Sequence, residues 1–110
     1  MLQRVTGQLE RYMDVLSARQ KLVASNIANA DTPGYQTQDI DFQSEFRNAG
    51  GGAPRVQDVG GLAVKNDGNN VSLDREARLL SENALRFQLA SQLMKSQIRQ
   101  VRSAIQEGKG

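Results

Sequence analysis

Apolar residues recur at helical spacing at both ends of the chain and thin out between them. From residue 2 to about residue 30, they are separated alternately by three and four positions, which places them on one face of an α-helix. From Leu73 to Ile105 the same alternation continues with Ser91 as its only polar member, as in a heptad repeat. The pattern therefore predicts two long helices that pair along their apolar seams.

The predicted fold class is mainly α, with two long terminal helices paired as an antiparallel coiled coil and joined by a Gly-rich irregular segment. The boundaries divide the chain into an N-terminal helix with its turn (1–34), a connecting segment (35–71) and a C-terminal heptad helix (72–110). The predicted helix-pairing seam consists of Leu9, Leu16, Val23, Leu80, Phe87, Met94, Ile98, Val101 and Ile105.

Two helix starts are marked by capping residues. Asp41 suits the N-cap of a short turn that carries Phe42 and Phe46 on one face. Ser72 suits the N-cap of the C-terminal helix, where Asp74 complements the positive end of the helix dipole. The rest of the connecting segment is punctuated by glycines, and the Asp67–Gly68 pair there predicts a tight turn.

The C-terminal helix has more apolar surface than one partner helix can bury. Four leucines fall on heptad positions that are polar in a simple coiled coil. Each leucine that stays exposed to solvent forgoes roughly 1.5–3 kcal/mol of favourable burial free energy. We therefore predict that these leucines form an assembly interface. Because the heptad seam and the leucines point in different directions, contacts between copies need not close and can generate a helical array. In the alternative, segment 43–71 folds over the leucines, but it contains few large apolar residues. The predicted interface consists of Leu79, Leu85, Leu89 and Leu93.

The end of the first helix has a distinctive composition. Asn26 and Asn29 lie three residues apart on a surface that is otherwise small and apolar, which predicts polar contacts to a neighbouring helix. Pro33 fixes φ at the first central position of a turn, and Gly34 can adopt the positive φ that a type II turn needs next. The motif and turn residues are Asn26, Asn29, Asp31, Thr32, Pro33, Gly34 and Tyr35.

These residues carry a family resemblance. The run SNIANADTPGY at 25–35, followed by DIDF at 39–42, resembles the N-terminal signature of flagellar rod and hook axial proteins. A second block lies within 66–87 (NDGNNV, LD, E, EN and LRF). It is similar to the second signature of the proximal rod subunits, which precedes their C-terminal helix, and it differs from the C-terminal region of the C-type rod subunit. The C-type subunit remains the alternative within the family.

The resemblance implies a structural subunit of the proximal rod of the bacterial flagellar basal body. Such a subunit self-assembles into the axial drive shaft, transmits torque and continues the export channel. The implied partners are other copies, other rod proteins, FliE, the MS-ring protein FliF and the flagellar type III export apparatus. The implied location is the periplasmic rod, with export that uses no cleaved signal peptide. Residues 1–8 indeed lack the apolar core of such a signal.

The composition argues against catalysis and cofactors. The chain has neither Cys nor His, which removes thiolate metal sites and the commonest general base. We interpret Asp39 and Asp41 as acids that cap turns, and the run at 67–70 departs from the calcium-loop pattern. We therefore expect no catalytic, cofactor-binding or metal-binding residues.

Charge and hydropathy limit the remaining function classes. The net charge is +2 with acids and bases interspersed, which does not indicate nucleic-acid binding. No apolar run approaches the ~18 residues of a membrane span, so we expect no direct membrane insertion. Heptads alone would favour a stand-alone coiled-coil adaptor, which is the alternative from outside the family.

Overall fold

The computed structural model describes residues 2–48 and 51–109, and it is an elongated molecule of 70 × 25 × 17 Å. Its elements in order are α1 (Leu2–Ala28), β1 (Gln38–Asp39), α2 (Phe42–Arg47), β2 (Gln57–Asp58) and α3 (Leu73–Lys109). Helices α1 and α3 pack against each other and run antiparallel. The predicted mainly α fold with two paired terminal helices is confirmed.

Both helix starts have the predicted caps. The Ser72 Oγ accepts a hydrogen bond from the Arg75 N–H at 3.2 Å. At the start of α2, Asp41 Oδ1 accepts one from the Ser44 N–H at 3.2 Å. Each cap satisfies a backbone donor that the first helical turn would leave without a partner.

The connecting segment is anchored on α1. The Tyr12 ring meets the rings of Phe42 and Phe46 edge-on, with centroid distances of 5.1 and 5.5 Å. The guanidinium of Arg86, from α3, lies 5.0 Å from the centroid of Phe42. Strands β1 and β2 pair antiparallel and form a short ribbon next to α1. The segment therefore packs against one side of the helix pair.

The face of α3 that contacts α1 differs from the predicted seam. Leu79 is only 8% exposed and lies between buried Glu76 and Asn83, so its assignment to an outer interface is wrong for this chain. Leu80 is 41% exposed, and its assignment to the pairing seam is wrong as well. On α1, by contrast, Leu16 and Val23 are buried and Leu9 is half-buried. On α3, Phe87 and Met94 are half-buried.

Polar contacts set this rotation of α3. Asn26 is hydrogen-bonded to Glu76, and Asn83 donates to Gln20 Oε1 at 3.1 Å. Glu76 and Asn83 lie seven residues apart on one face, so these two bonds turn that face toward α1. The apolar heptad positions that begin at Leu73 and include Leu80 are thereby moved to the flank of the helix pair.

The last part of the predicted seam is exposed for a second reason. Helix α3 has 37 residues and α1 has 27. With Asn26 level with Glu76, the first residue of α1 lies level with about residue 100. Beyond that level, α3 has no partner helix among residues 2–48 and 51–109. The seam assignments of Val101 and Ile105, which are exposed, are therefore corrected, and so is that of Ile98, which is exposed opposite the first turn of α1.

Candidate functional site

Asn26 is the centre of the buried polar structure. Its side chain has no exposed surface, and its Nδ2 donates to Glu76 Oε1 and, at 2.9 Å, to the Gln38 carbonyl. Its Oδ1 accepts from the Tyr35 hydroxyl at 3.0 Å and from the Gln38 N–H at 3.1 Å. These four bonds use the whole capacity of a side-chain amide. The predicted polar contact to a neighbouring helix is confirmed for Asn26, which also joins the turn and β1.

Asn29 does not make the same kind of contact. Its Nδ2 donates to the Ser25 carbonyl of its own helix at 2.8 Å, and its Oδ1 accepts from Thr32 Oγ1 at 3.0 Å. The prediction that the Asn29 side chain contacts a neighbouring helix is therefore wrong. Asn29 instead ties the end of α1 to the following turn.

The predicted type II turn is present. The Tyr35 N–H donates to the Thr32 carbonyl at 3.2 Å, and Gly34 has φ of 75°. The other two motif residues, Asp31 and Pro33, are exposed. This turn meets the Asp67–Gly68 turn, because the Gly34 N–H donates to the Asp67 carbonyl at 2.8 Å.

Two asparagines in the second turn complete the junction. Asn69 is fully buried, and its Nδ2 donates at 2.8 Å to both the Asn29 and the Thr32 carbonyls. Asn70 Oδ1 accepts from the Thr37 N–H at 2.6 Å. Sequence analysis interpreted this run only as a turn. Its two consecutive asparagines were an available signal, because Asn side chains readily bond nearby backbone groups.

A charged cluster lies beside Asn26. Arg19 holds both carboxylate oxygens of Asp39, at 2.9 and 3.0 Å. Arg75 donates to the same carboxylate at 2.5 Å and to Glu76 Oε2 at 2.8 Å. Asp39 was interpreted as a turn-capping acid, and it does accept from the Ile40 N–H, but its carboxylate also bridges the two long helices. Sequence analysis missed Arg19, Arg75 and Glu76 as members of this site.

The pKa of Asp39 follows from these partners. Burial by itself would raise the pKa of the carboxyl group. The hydrogen bonds and charge of Arg19, together with bonds from the Ile40 N–H and Arg75, outweigh burial and lower the pKa below the ordinary value of 3.8. Asp39 therefore stays ionised while it links the helices.

The site's chemistry is that of a structural junction. Its amides and carboxylates are bonded mainly to each other and to the backbone, which fixes α1, the turns, β1 and α3 in one register. Within residues 2–48 and 51–109, no group of three or more acidic, Cys or His side chains is arranged to hold a metal ion. The helices in those ranges also lack an apolar stretch sufficient to cross a membrane.

The remaining leucines of the predicted interface form an exposed line on α3. Leu85, Leu89 and Leu93 are 58%, 54% and 56% exposed, and we refer to them as the leucine stripe. They recur every four residues, which aligns them along one side of the helix. The connecting segment leaves them uncovered, contrary to the alternative that it folds back over them.

Comparison with known proteins gives consistent matches. A family model described as flagella basal body rod protein matches residues 13–36, which cover the second half of α1 and the type II turn. The flagellar basal body rod protein FlgB of Salmonella typhimurium is 34% identical over 137 aligned positions, which cover 98% of this chain and 99% of the relative. FlgB of Yersinia enterocolitica is 31% identical, with 98% and 100% covered.

A more distant match has the same description. FlgB of Borrelia hermsii is 30% identical over 122 positions, which cover 86% of this chain and 90% of the relative. These alignments are longer than the 110 residues of the chain, so the relatives have residues at positions where this chain has none.

Proposed function

This chain belongs to the FlgB family of flagellar basal body rod proteins, and from that membership we propose that it is a subunit of the proximal rod. Its role in the basal body is structural, and it assembles with other flagellar components. The finer proposal is that copies of the chain join the axial drive shaft, transmit torque and continue the export channel.

The observation that carries this proposal is the leucine stripe. Three leucines, each more than half exposed, lie in one line on a helix that already has a partner on another face. A row of this kind on a slender molecule is typical of an interaction surface. Burial of each leucine by a neighbouring subunit would contribute roughly 1.5–3 kcal/mol.

The shape and the junction suit a load-bearing element. The molecule is 70 Å long, and its two long helices are held by polar contacts near the turn as well as by apolar packing. Bidentate and charge-assisted bonds of this kind fix geometry more strictly than apolar contacts alone. Torque applied along the helices would therefore be carried by both of them.

The proposed partners are other copies, other rod proteins, FliE, the MS-ring protein FliF and the type III export apparatus. The proposed location is the periplasmic part of the basal body, reached without a cleaved signal peptide. We further propose that the chain is exported unfolded or partly folded. Its helices would then order as it assembles, so that the entropy cost of ordering falls at the binding step.

The decisive experiment is isolation of detergent-resistant hook–basal bodies from the source bacterium. We expect the chain to co-purify in fixed stoichiometry after the outer filament is removed, and to cross-link to FliE or FliF. A chain found only in the cytosol would contradict the rod assignment and favour a stand-alone helical adaptor. Cross-links to other rod proteins alone would contradict the proximal position.

A further inference from the structure

Helix α3 has two apolar stripes that the described part of the chain leaves largely uncovered. One is the leucine stripe. The other begins at Leu73 and continues through Ala77, Leu80 and Ala84 toward Ser91, and we refer to it as the heptad stripe. Leu73, Ala77, Leu80 and Ala84 are exposed, and Ser91 is half-buried. The heptad stripe is the first part of the heptad alternation that begins at Leu73, and Leu80 is its one member that was assigned to the predicted pairing seam.

The two stripes face opposite ways. Leu80 and Leu89 are nine residues apart, which is two and a half helical turns, so their side chains project on opposite sides of α3. Ser81, Gln88 and Gln92 are exposed between the stripes on the outer face. The face toward α1 separates the stripes on the inner side. Each stripe is therefore a surface of its own.

The stripes differ in side-chain size. The heptad stripe has a small residue every seven positions, at Ala77, Ala84 and Ser91, which leaves recesses along the helix. The leucine stripe presents three large side chains at four-residue spacing. Interdigitation is best when large residues on one helix face small residues on the other. The recesses of the heptad stripe can therefore receive the large side chains of the leucine stripe, whereas two leucine stripes would set large residues against large ones.

The surroundings of the stripes support the same pairing. The connecting segment reaches α3 through Arg75 and Arg86, which bind Asp39 and the Phe42 ring, and it stops short of both stripes. Phe87 belongs to the heptad alternation and is half-buried at the border of the contact with α1. The heptad stripe therefore continues an apolar surface that is already partly covered by a helix.

We propose that the heptad stripe of one copy receives the leucine stripe of the next copy, with the two α3 helices parallel. This inference rests on the proposed assembly into the rod and names the surfaces that carry it. Since the contact uses two different surfaces of each copy, every bound subunit still offers one free stripe. Contacts of this heterologous kind repeat into a ring or a helical array.

Cysteine cross-linking tests the pairing directly, because the chain has no cysteine of its own. Double variants would combine one substitution in the heptad stripe (Ala77→Cys, Ala84→Cys or Ser91→Cys) with one in the leucine stripe (Leu85→Cys, Leu89→Cys or Leu93→Cys). All nine combinations cover the possible staggers, since a disulfide needs Cα atoms within about 7 Å. Each variant is expressed in place of the wild-type chain, and isolated basal bodies are oxidised and run on non-reducing gels.

We expect at least one double variant to give a ladder of covalent oligomers, while each single variant gives only monomers. The control pairs Leu89→Cys with Ser17→Cys, which is exposed on α1, and should give no ladder. Dimers from a single variant would show a symmetric contact and overturn the pairing. Monomers alone from all double variants present in the rod would also overturn it. Absence of the wild-type chain from basal bodies would instead refute the proposed function.

Discussion

Asn26 in α1 and Glu76 in α3 are hydrogen-bonded to each other across fifty positions of the sequence, and neither side chain is exposed to solvent. The Glu76 carboxylate is also held by Arg75 at 2.8 Å. A buried polar pair of this kind tolerates neither sliding nor rotation of one helix, because either movement would separate Asn26 from Glu76 and leave a buried carboxylate oxygen without its partner. The pair therefore selects the register in which α1 and α3 meet.

Replacing Asn26 should destabilise the chain strongly. We expect Asn26→Ala to lower the free energy of unfolding by at least about 2 kcal/mol, because it leaves the buried Oε1 of Glu76 and the part-buried backbone groups of Gln38 without the Asn26 amide. Urea unfolding of the purified chain, followed by circular dichroism, measures the change. Asn29→Ala is the matched control, since the bonds of the Asn29 side chain are to Ser25 and Thr32 nearby and their loss should cost about 0.5–1.5 kcal/mol. Equal losses for both variants would argue against a central role for Asn26.

The free energy of unfolding should fall at acidic pH, partly because Asp39 becomes protonated. Its pKa is lower in the folded chain than the ordinary value of 3.8, so its contribution to stability is present above that value. The contribution is lost as the pH falls from the unfolded-state pKa toward the folded-state pKa. We expect the wild-type chain to lose more stability than Asp39→Asn on acidification below about pH 4. Urea unfolding at a series of pH values measures this, with exposed Asp31→Asn as the control, which should retain the wild-type slope.

The turn after α1 depends on the backbone conformation of Gly34. Its φ is 75°, and no atom outside its immediate neighbours lies within 4 Å of the place a Cβ would occupy. A substitution at Gly34 therefore tests whether the turn needs a positive φ, without adding a steric clash. We expect Gly34→Val to cost about 1–2 kcal/mol and to reduce motility, whereas Gly34→Asn should be milder because Asn tolerates positive φ. Wild-type motility and stability in Gly34→Val would show that the turn does not need this conformation.

The leucine stripe should matter for assembly and not for folding. We expect Leu89→Asp to keep the helix content and export of the chain while abolishing its incorporation into basal bodies, because it places a charge on a surface that neighbours would bury. Leu89→Met should assemble normally. Leu79→Asp should instead unfold the chain, since Leu79 is buried. Normal rods from Leu89→Asp would exclude the stripe as an interface.

Local rules predicted much of the structure. The three- and four-residue spacing of apolar residues predicts the helices. The carboxylate of Asp41 and the hydroxyl of Ser72 predict the helix caps, and Pro33 with Gly34 predicts the turn. Each of these features depends on residues that are close in sequence, so the pattern of a single chain contains the information. The same holds for the aromatic face of α2.

The rotation of α3 depends on partners that are distant in sequence. Heptad spacing identifies an apolar stripe but does not say which helix covers it. Here Glu76 and Asn83 face α1 because Asn26 and Gln20 lie opposite them, and that pairing appears only when both helices are placed. Apolar periodicity therefore placed Leu80 inside and Leu79 outside, the reverse of their positions in the structure.

Because polar contacts fix the register of α1 and α3, the subunit cannot bury all the apolar surface of α3 by itself. Turning α3 by about one residue would bring Leu80 inside, but Glu76 would then lose its hydrogen bond to Asn26, and breaking a buried polar pair costs more than burying one leucine gains. In this register the exposed heptad positions of α3, including Leu80, are directed outward. In the proposed rod, burial of that surface by a neighbouring copy would relieve a conflict that one copy cannot resolve alone.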